Sequence, residues 1–396
     1  MKKYHHPKYF LLIIFSSIIM IGCSSIIFDR LIMGTTIDKP YKISDGALAF
    51  HQSLDFVADL HSDALMSQRN LTKESDVAHV DLPRMRKGNA AFQVFTITSC
   101  SPPFQLSSGT GLSFDANKSK FVNQMGVYSF MNLEGPQLWG NMYNRSIWQM
   151  DKLAKYAKED PYFHLIKSKK DFLELIELRS KDKRHIGGIL GIEGIHNLKG
   201  DIKNLETFYQ KGVRSIGFAH FFDNMYAGSR HGKDKYGLTE KGREVLKRMD
   251  ELGIIADLSH DSEKTIEDVL KYGKNPPIIT HGGSRGVEDT PRNFTDAQLK
   301  AVAQKGGIIG VMFFDSTDRH AITVDKIVQN ILYIRNLVGS QHIALGSDYD
   351  GGTITPFDIS GLGILTEALL NAGIPKEEIK GIMGENYKNF LLKYLK

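Results

Sequence analysis

Six short apolar runs in this sequence lead into a residue that can hold a metal ion or move a proton. Residues 56–60 run into His61-Ser62-Asp63, 189–192 into Glu193, and 215–218 towards His220. Residues 254–258 lead to His260, 277–280 to His281, and 343–346 to Asp348. In an extended chain, residues two apart point the same way, so His61 and Asp63 can grip one ion together. With Glu193, His260 and His281 they offer three imidazoles and two carboxylates, the mixed set that zinc prefers. The two oxygens of Glu193 can bridge two ions roughly 3.5 Å apart, and the carboxylates offset the repulsion between those ions. The chemistry this implies is hydrolysis by a water activated on two zinc ions.

Such residues act together only if the chain brings the run ends to one place. Eight runs have the length of a buried parallel strand: 56–60, 92–97, 189–192, 215–218, 254–258, 277–280, 308–313 and 343–346. Helical patterns lie between them. Residues 238–252 carry Val245, Leu246, Met249 and Leu252 on one face. Thr295 and Gln298 have capping-box spacing ahead of Leu299, Val302 and Ala303. Ile327, Ile331, Ile334 and Leu337 repeat at helical spacing. Strand and helix in alternation give parallel pairing, and eight such units close into an α/β fold of the (β/α)8 TIM-barrel type. The polar run ends then gather on the C-terminal rim, where barrel enzymes build their sites. Residues 100–184 are too many for one crossover and predict a helical insertion after strand two.

The length of 396 residues, with 41% hydrophobic and 24% charged, suits one barrel with insertions. Lys2, Lys3 and Lys8 precede an apolar run over 10–21, which is too short for the twenty or so residues that span a bilayer. This predicts a signal peptide over 1–22, a linker and barrel-bottom segment over 23–50, and the catalytic barrel over 51–396. Met20-Ile21-Gly22-Cys23 resembles a lipobox, which makes Cys23 the lipidation site of an exported, periplasmic or outer-membrane-anchored bacterial lipoprotein. Met20 and Ile21 depart from the usual residues, so an uncleaved anchor or plain export signal stays open. Without the three leader lysines the formal net charge falls from +5 to +2, and no long basic block remains, so nucleic acid is not an expected partner. Of the two cysteines, Cys100 reads as a small packed residue with no disulfide partner if Cys23 is acylated.

The ordered stretches resemble one family, the membrane (renal) dipeptidases among the amidohydrolase-like barrels. They are Asp59-Leu60-His61-Ser62-Asp63, Gly191-Ile192-Glu193-Gly194, Phe218-Ala219-His220 and Ala256-Asp257-Leu258-Ser259-His260. Ile279-Thr280-His281, Pro291-Arg292-Asn293-Phe294-Thr295-Asp296 and Gly346-Ser347-Asp348-Tyr349-Asp350-Gly351 complete the series, which covers roughly residues 50–395. The resemblance implies that His61 and Asp63 hold one zinc, His260 and His281 a second, and Glu193 both, with a bridging hydroxide attacking the peptide bond of a dipeptide. It further implies that Asp348 carries the proton, that His220 steadies the oxyanion, and that Arg292 clamps the substrate's C-terminal carboxylate. A homodimer also follows from it.

From the residues alone, Asp350 competes with Asp348 as proton carrier, although Asp348 lies directly after its run. Arg292 has a surface alternative as an ion-pair partner of Asp289 or Asp296, and His220 one as a packed histidine. Asp223, Asn224, His231 and His320 read as structural. Ser62, the Gly282-Gly283-Ser284 turn and the loop over 223–235 depart from the family pattern and leave the substrate open. Two other readings stand beside the dipeptidase: a metal-dependent amidohydrolase for N-acyl amino acids or lactones, and a non-catalytic peptide-binding lipoprotein. The complete ligand set argues against the second.

Overall fold

The computed structural model describes residues 29–30, 33–101, 124–132, 134–314 and 323–396, so Cys23 and His320 lie outside the described residues. Its centre is a set of eight parallel strands. They are β1 (Val57–Ser62), β2 (Ala90–Thr98), β3 (Ile186–Glu193), β4 (Val213–Gly217), β5 (Ile255–Asp257), β6 (Ile278–Gly282), β7 (Ile308–Val311) and β8 (Ile343–Leu345). Each pairs with the next and β8 returns to β1, which closes the (β/α)8 barrel. Every residue of these strands is buried. That double burial explains why the strands read as continuous apolar runs rather than alternating ones.

Alternation reappears in which core each side chain joins. Ile278, Ile308 and Ala344 join Leu60, Val94 and Ile189 in an inner cluster, whereas Ile279, Ile309, Ile343 and Leu345 pack outward against the helices. The helix Asn386–Tyr394 adds Tyr387, Phe390 and Leu391 to the inner cluster, at the end where the strands begin. Burial of Phe390 and Leu391 contributes roughly 1.5–3 kcal/mol each. Within the N-terminal linker and barrel-bottom segment, Gly34–Thr35 pairs with Ile354–Thr355, beyond β8. At the opposite end the strands approach closely. A Cβ on Gly346 would sit 1.9 Å from the Thr280 carbonyl oxygen, so no side chain fits there.

The helices start where caps allow. Thr239 accepts the Gly242 N–H as N-cap, so that helix begins at Glu240 rather than at Leu238. Thr295 and Gln298 form the reciprocal capping box of the helix Asp296–Gln304. The insertion after β2 carries helices Gln124–Met131, Pro136–Trp139, Met142–Glu159 and Lys169–Lys181. It also holds a short strand that the sequence did not announce, Phe163–Leu165, which extends the sheet along the start of β3.

After β8 the chain makes an unusual turn that sets up the rim. Asp348 and Asp350 adopt φ of +60° and +64°, a left-handed conformation that aspartate tolerates better than most residues. Between them Tyr349 is buried against His79 and Phe313, and its carbonyl accepts the Asp63 N–H. The Asp350 carboxylate pairs with Arg69 at 2.9 Å and lies 3.3 Å from the His79 ring. Burial works to raise its pKa, but Arg69 and His79 outweigh that and hold the carboxyl well below the usual carboxylate range. Asp350→Asn would leave Arg69 buried without its counter-charge, and we expect it to cost roughly 3–5 kcal/mol at pH 7, read from urea-unfolding midpoints. A group with a depressed native pKa contributes fully above its unfolded value near ~4 and less as the pH falls below it, so the gap to wild type should narrow in acid. An unchanged midpoint at pH 7 would contradict this.

Candidate active site

The rim gathers all the predicted ligands around one carboxylate. His61 lies in β1 with Asp63 just beyond it, Glu193 ends β3, and His281 lies in β6. His220, His260 and Asp348 follow β4, β5 and β8. Glu193 Oε1 is 3.0 Å from His260 Nε2, 3.6 Å from His281 Nε2 and 3.7 Å from His61 Nε2. Its other oxygen, Oε2, is 3.2 Å from His220 Nε2. On the far side of His61, Nε2 is 3.8 Å from Asp63 Oδ2 and 3.7 Å from Asp348 Oδ1. Three interlocking donor groups result: His61, Glu193 and His281; Glu193, His220 and His260; His61, Asp63 and Asp348.

The local backbone explains the convergence. The pairing of β1 with β2 shifts register between Asp59 and Ser62, so His61 and Asp63 leave the regular alternation of the strand at the rim. Gly194, at φ +81°, lets the chain turn sharply after Glu193, where a Cβ would stand 3.1 Å from the His220 backbone nitrogen. Thr98 at the end of β2 donates its hydroxyl to Asp63 Oδ1 at 2.8 Å.

Charge in this pocket is poorly solvated, and the titration shifts record it. Burial pushes the Glu193 carboxyl well above its ordinary range. Burial also drives His220, His260 and His281 well below the usual imidazole value. His61 goes the other way: burial opposes its charge, but Glu193, Asp63 and Asp348 together lift it to about 10. Burial, with Asp63 adding to it and His61 opposing, pushes Asp348 up to about 7. The buried His61 Nε2 has no hydrogen-bond partner, and the Nε2 atoms of His260 and His281 face one another at 2.9 Å. Converging nitrogen lone pairs beside crowded carboxylates favour a cation among them, and this nitrogen and oxygen set fits zinc. The residues therefore fit the metal group that their types imply.

Asp348 and Asp350 are now distinct, since Asp350 is committed to Arg69 and His79 away from this cluster. Arg292 is not a surface residue. Only 5% exposed, it donates to the Ser259 carbonyl at 2.9 Å and the His281 carbonyl at 3.0 Å. A guanidinium has five N–H donors, so its fork keeps capacity for a ligand. Asp223 and Asn224 organise their own loop, accepting the N–H groups of Ser229 and Tyr226.

The sequence reading passed over several neighbours. His231 is half-buried beside Phe221, its ring 5.2 Å from that of His260, and its buried Nε2 has no hydrogen-bond partner. No local pattern marks it. Asp59 and Asp257 are different: they stand two and three residues before a ligand, each a charged residue inside an apolar run, and that interruption could have flagged them. Asp59 accepts from Gln93 and Ser347, and Asp257 from Ser259 and Thr280. Cys100 is a buried free thiol, pushed up to about 12 by burial, consistent with a packed role.

Residues 45–391 match the family profile described as membrane dipeptidase, peptidase family M19. An uncharacterized dipeptidase of Schizosaccharomyces pombe is 30% identical over 334 residues, which cover 80% of this chain and 73% of that protein. Among solved structures, dipeptidase AC, a metallopeptidase of family M19, is 25% identical with a TM-score of 0.66, over 86% of this chain and 98% of its own. A metallopeptidase of Rhodobacter sphaeroides, solved with a phosphinate mimic of the dipeptide L-Ala-D-Ala, shares the fold at 23% identity and a TM-score of 0.68, covering 86% and 99% of the two chains. With its ligand set gathered on the rim of a barrel of that type, the chain belongs to the membrane dipeptidase family, peptidase family M19, and is a metallo-dipeptidase.

Proposed function

We propose that this metallo-dipeptidase uses two zinc ions, one on His61 and Asp63, one on His260 and His281, with Glu193 shared by both. The observation that carries this reading is the position of Glu193, whose Oε1 lies within 3.7 Å of the Nε2 atoms of all three histidines. Bound zinc would supply Lewis acidity, lowering the pKa of a water and polarising the scissile carbonyl.

The chain's own residues do the rest. Asp348, pushed up to about 7, can accept a proton and release it again near neutral pH, as cleavage of an amide with a poor amine leaving group requires. His220, beside Glu193 and His260, is placed to meet negative charge that develops on the carbonyl oxygen. Arg292 presents a planar fork suited to a free carboxylate. Anchored on the carbonyls of Ser259 and His281, it would stand at a fixed distance from the reacting centre and so select dipeptides over longer chains. The phosphinate dipeptide mimic held by the Rhodobacter sphaeroides relative supports the same substrate class.

Purified protein should carry two zinc ions per chain, lose hydrolysis of a glycine-containing dipeptide on chelation, and regain it with zinc. Absence of zinc, together with no hydrolysis after zinc is restored, would sink the proposal. Arg292→Met should raise KM for a dipeptide about 30-fold or more, the cost of losing a buried charged pair. It should leave the weak hydrolysis of the matching dipeptide amide, which lacks the carboxylate, nearly unchanged. An unaltered KM for the free dipeptide would remove Arg292 from its assigned role.

A further inference from the structure

We propose that the Thr280 hydroxyl, fixed by the Asp257 carboxylate, is a positioning group that sets the tautomer and orientation of His61 and His281 together. One hydroxyl would thus tune both halves of the metal centre, and the inference rests on the two-zinc reading above.

Proton accounting leads to it. Asp257 is buried at the end of β5 and accepts four hydrogen bonds. Two come from the backbone N–H groups of Ser259 at 3.1 Å and Thr280 at 3.0 Å. The other two come from the hydroxyls of Ser259 at 2.6 Å and Thr280 at 2.7 Å. Three of these fall on Oδ1, and the Thr280 hydroxyl alone on Oδ2; an ionised carboxylate only accepts, so both hydroxyls must be the donors. A hydroxyl has a single proton, and Thr280 commits its own to Asp257 Oδ2. Towards every other neighbour its oxygen can only accept.

Those neighbours include the two imidazoles. Thr280 Oγ1 is 3.0 Å from His281 Nδ1 and 3.2 Å from His61 Nδ1. Each Nδ1 must therefore carry a proton, which makes Nε2, on the Glu193 side, the nitrogen that each ring has available for a metal. The Thr96 hydroxyl approaches the same His61 nitrogen at a longer 3.4 Å. Ser259 Oγ lies 2.9 Å from Thr280 Oγ1, but it sends its proton to Asp257 and accepts the His281 backbone N–H at 3.1 Å. The hub is rigid because strand β6 is pressed on by Gly310 and Gly346, where a Cβ would meet the Thr280 carbonyl oxygen at 2.1 and 1.9 Å. His61 belongs to one proposed ion and His281 to the other, so the hydroxyl spans both.

The test is zinc affinity of the full chain, measured by competition with a chromogenic chelator. Thr280→Val keeps the branched shape and removes the hydroxyl. It should weaken both zinc equivalents by roughly 10- to 100-fold, the usual range for loss of an outer-shell partner. Thr280→Ser, which keeps the hydroxyl, should restore binding to near wild type, and a purely steric role for the residue would not produce that rescue. Should Thr280→Val not fold, Asp257→Asn serves instead: its amide donates to Thr280, frees the hydroxyl proton to turn towards an imidazole, and should cause the same loss. Wild-type affinity in either variant, or weakening confined to one equivalent, overturns the proposal while the two-zinc reading stands. A wild-type protein that binds no zinc overturns both.

Discussion

A carboxylate buried among imidazoles is the constraint on which the rest of this structure depends. Glu193 is only 3% exposed and sits within 3.0–3.7 Å of four histidine Nε2 atoms. Removing such a charge from water costs several kcal/mol, and neutral rings return little of it. Asp63 and Asp348 crowd the same space with further negative charge, which is why His61 is held up at about 10. A proton on His61 relieves part of this charge. Divalent cations lying between the nitrogens and oxygens relieve more, and they turn an electrostatic liability into a hydrolytic centre.

The barrel makes that arrangement affordable in conformational terms. The five ligands ride on four strands or just past their ends, so the distances among them are fixed by the closure of the sheet rather than by flexible loops. Beneath them Asp59, Asp257 and Thr280 form a polar layer that orients the ligands, and beneath that the apolar interior is capped by the helix Asn386–Tyr394. The left-handed turn at Asp348 is tolerated because Tyr349 and Asp350 are pinned by burial and by Arg69, so the strain next to the site is offset a few ångströms away.

The strands were legible because a parallel strand buried on both faces must be apolar throughout, and the ligands because they interrupt that pattern at its end. The capping box at Thr295 was legible for the same kind of local reason. What stayed hidden was set by contacts distant in sequence. Asp348 and Asp350 follow one apolar run and differ only in that Asp350 meets Arg69 and His79, far away along the chain. The burial of Arg292 goes with carbonyls of two other strand ends, and the place of His231 with Phe221 and His260. Thr280 carries no charge and matters only through where its one proton goes. The part of the C-terminal helix in closing the floor was not legible, because nothing local in Asn386–Tyr394 marks it. Only packing shows that Tyr387 and Phe390 reach the barrel interior.

The most direct measurement of the two-ion centre is anomalous diffraction at the zinc absorption edge from crystals of the zinc-loaded protein. Two peaks are expected, one beside His61 and Asp63 and one beside His260 and His281, with Glu193 contacting both. A single peak, or zinc bound away from Glu193, would contradict the role of that carboxylate as the shared ligand.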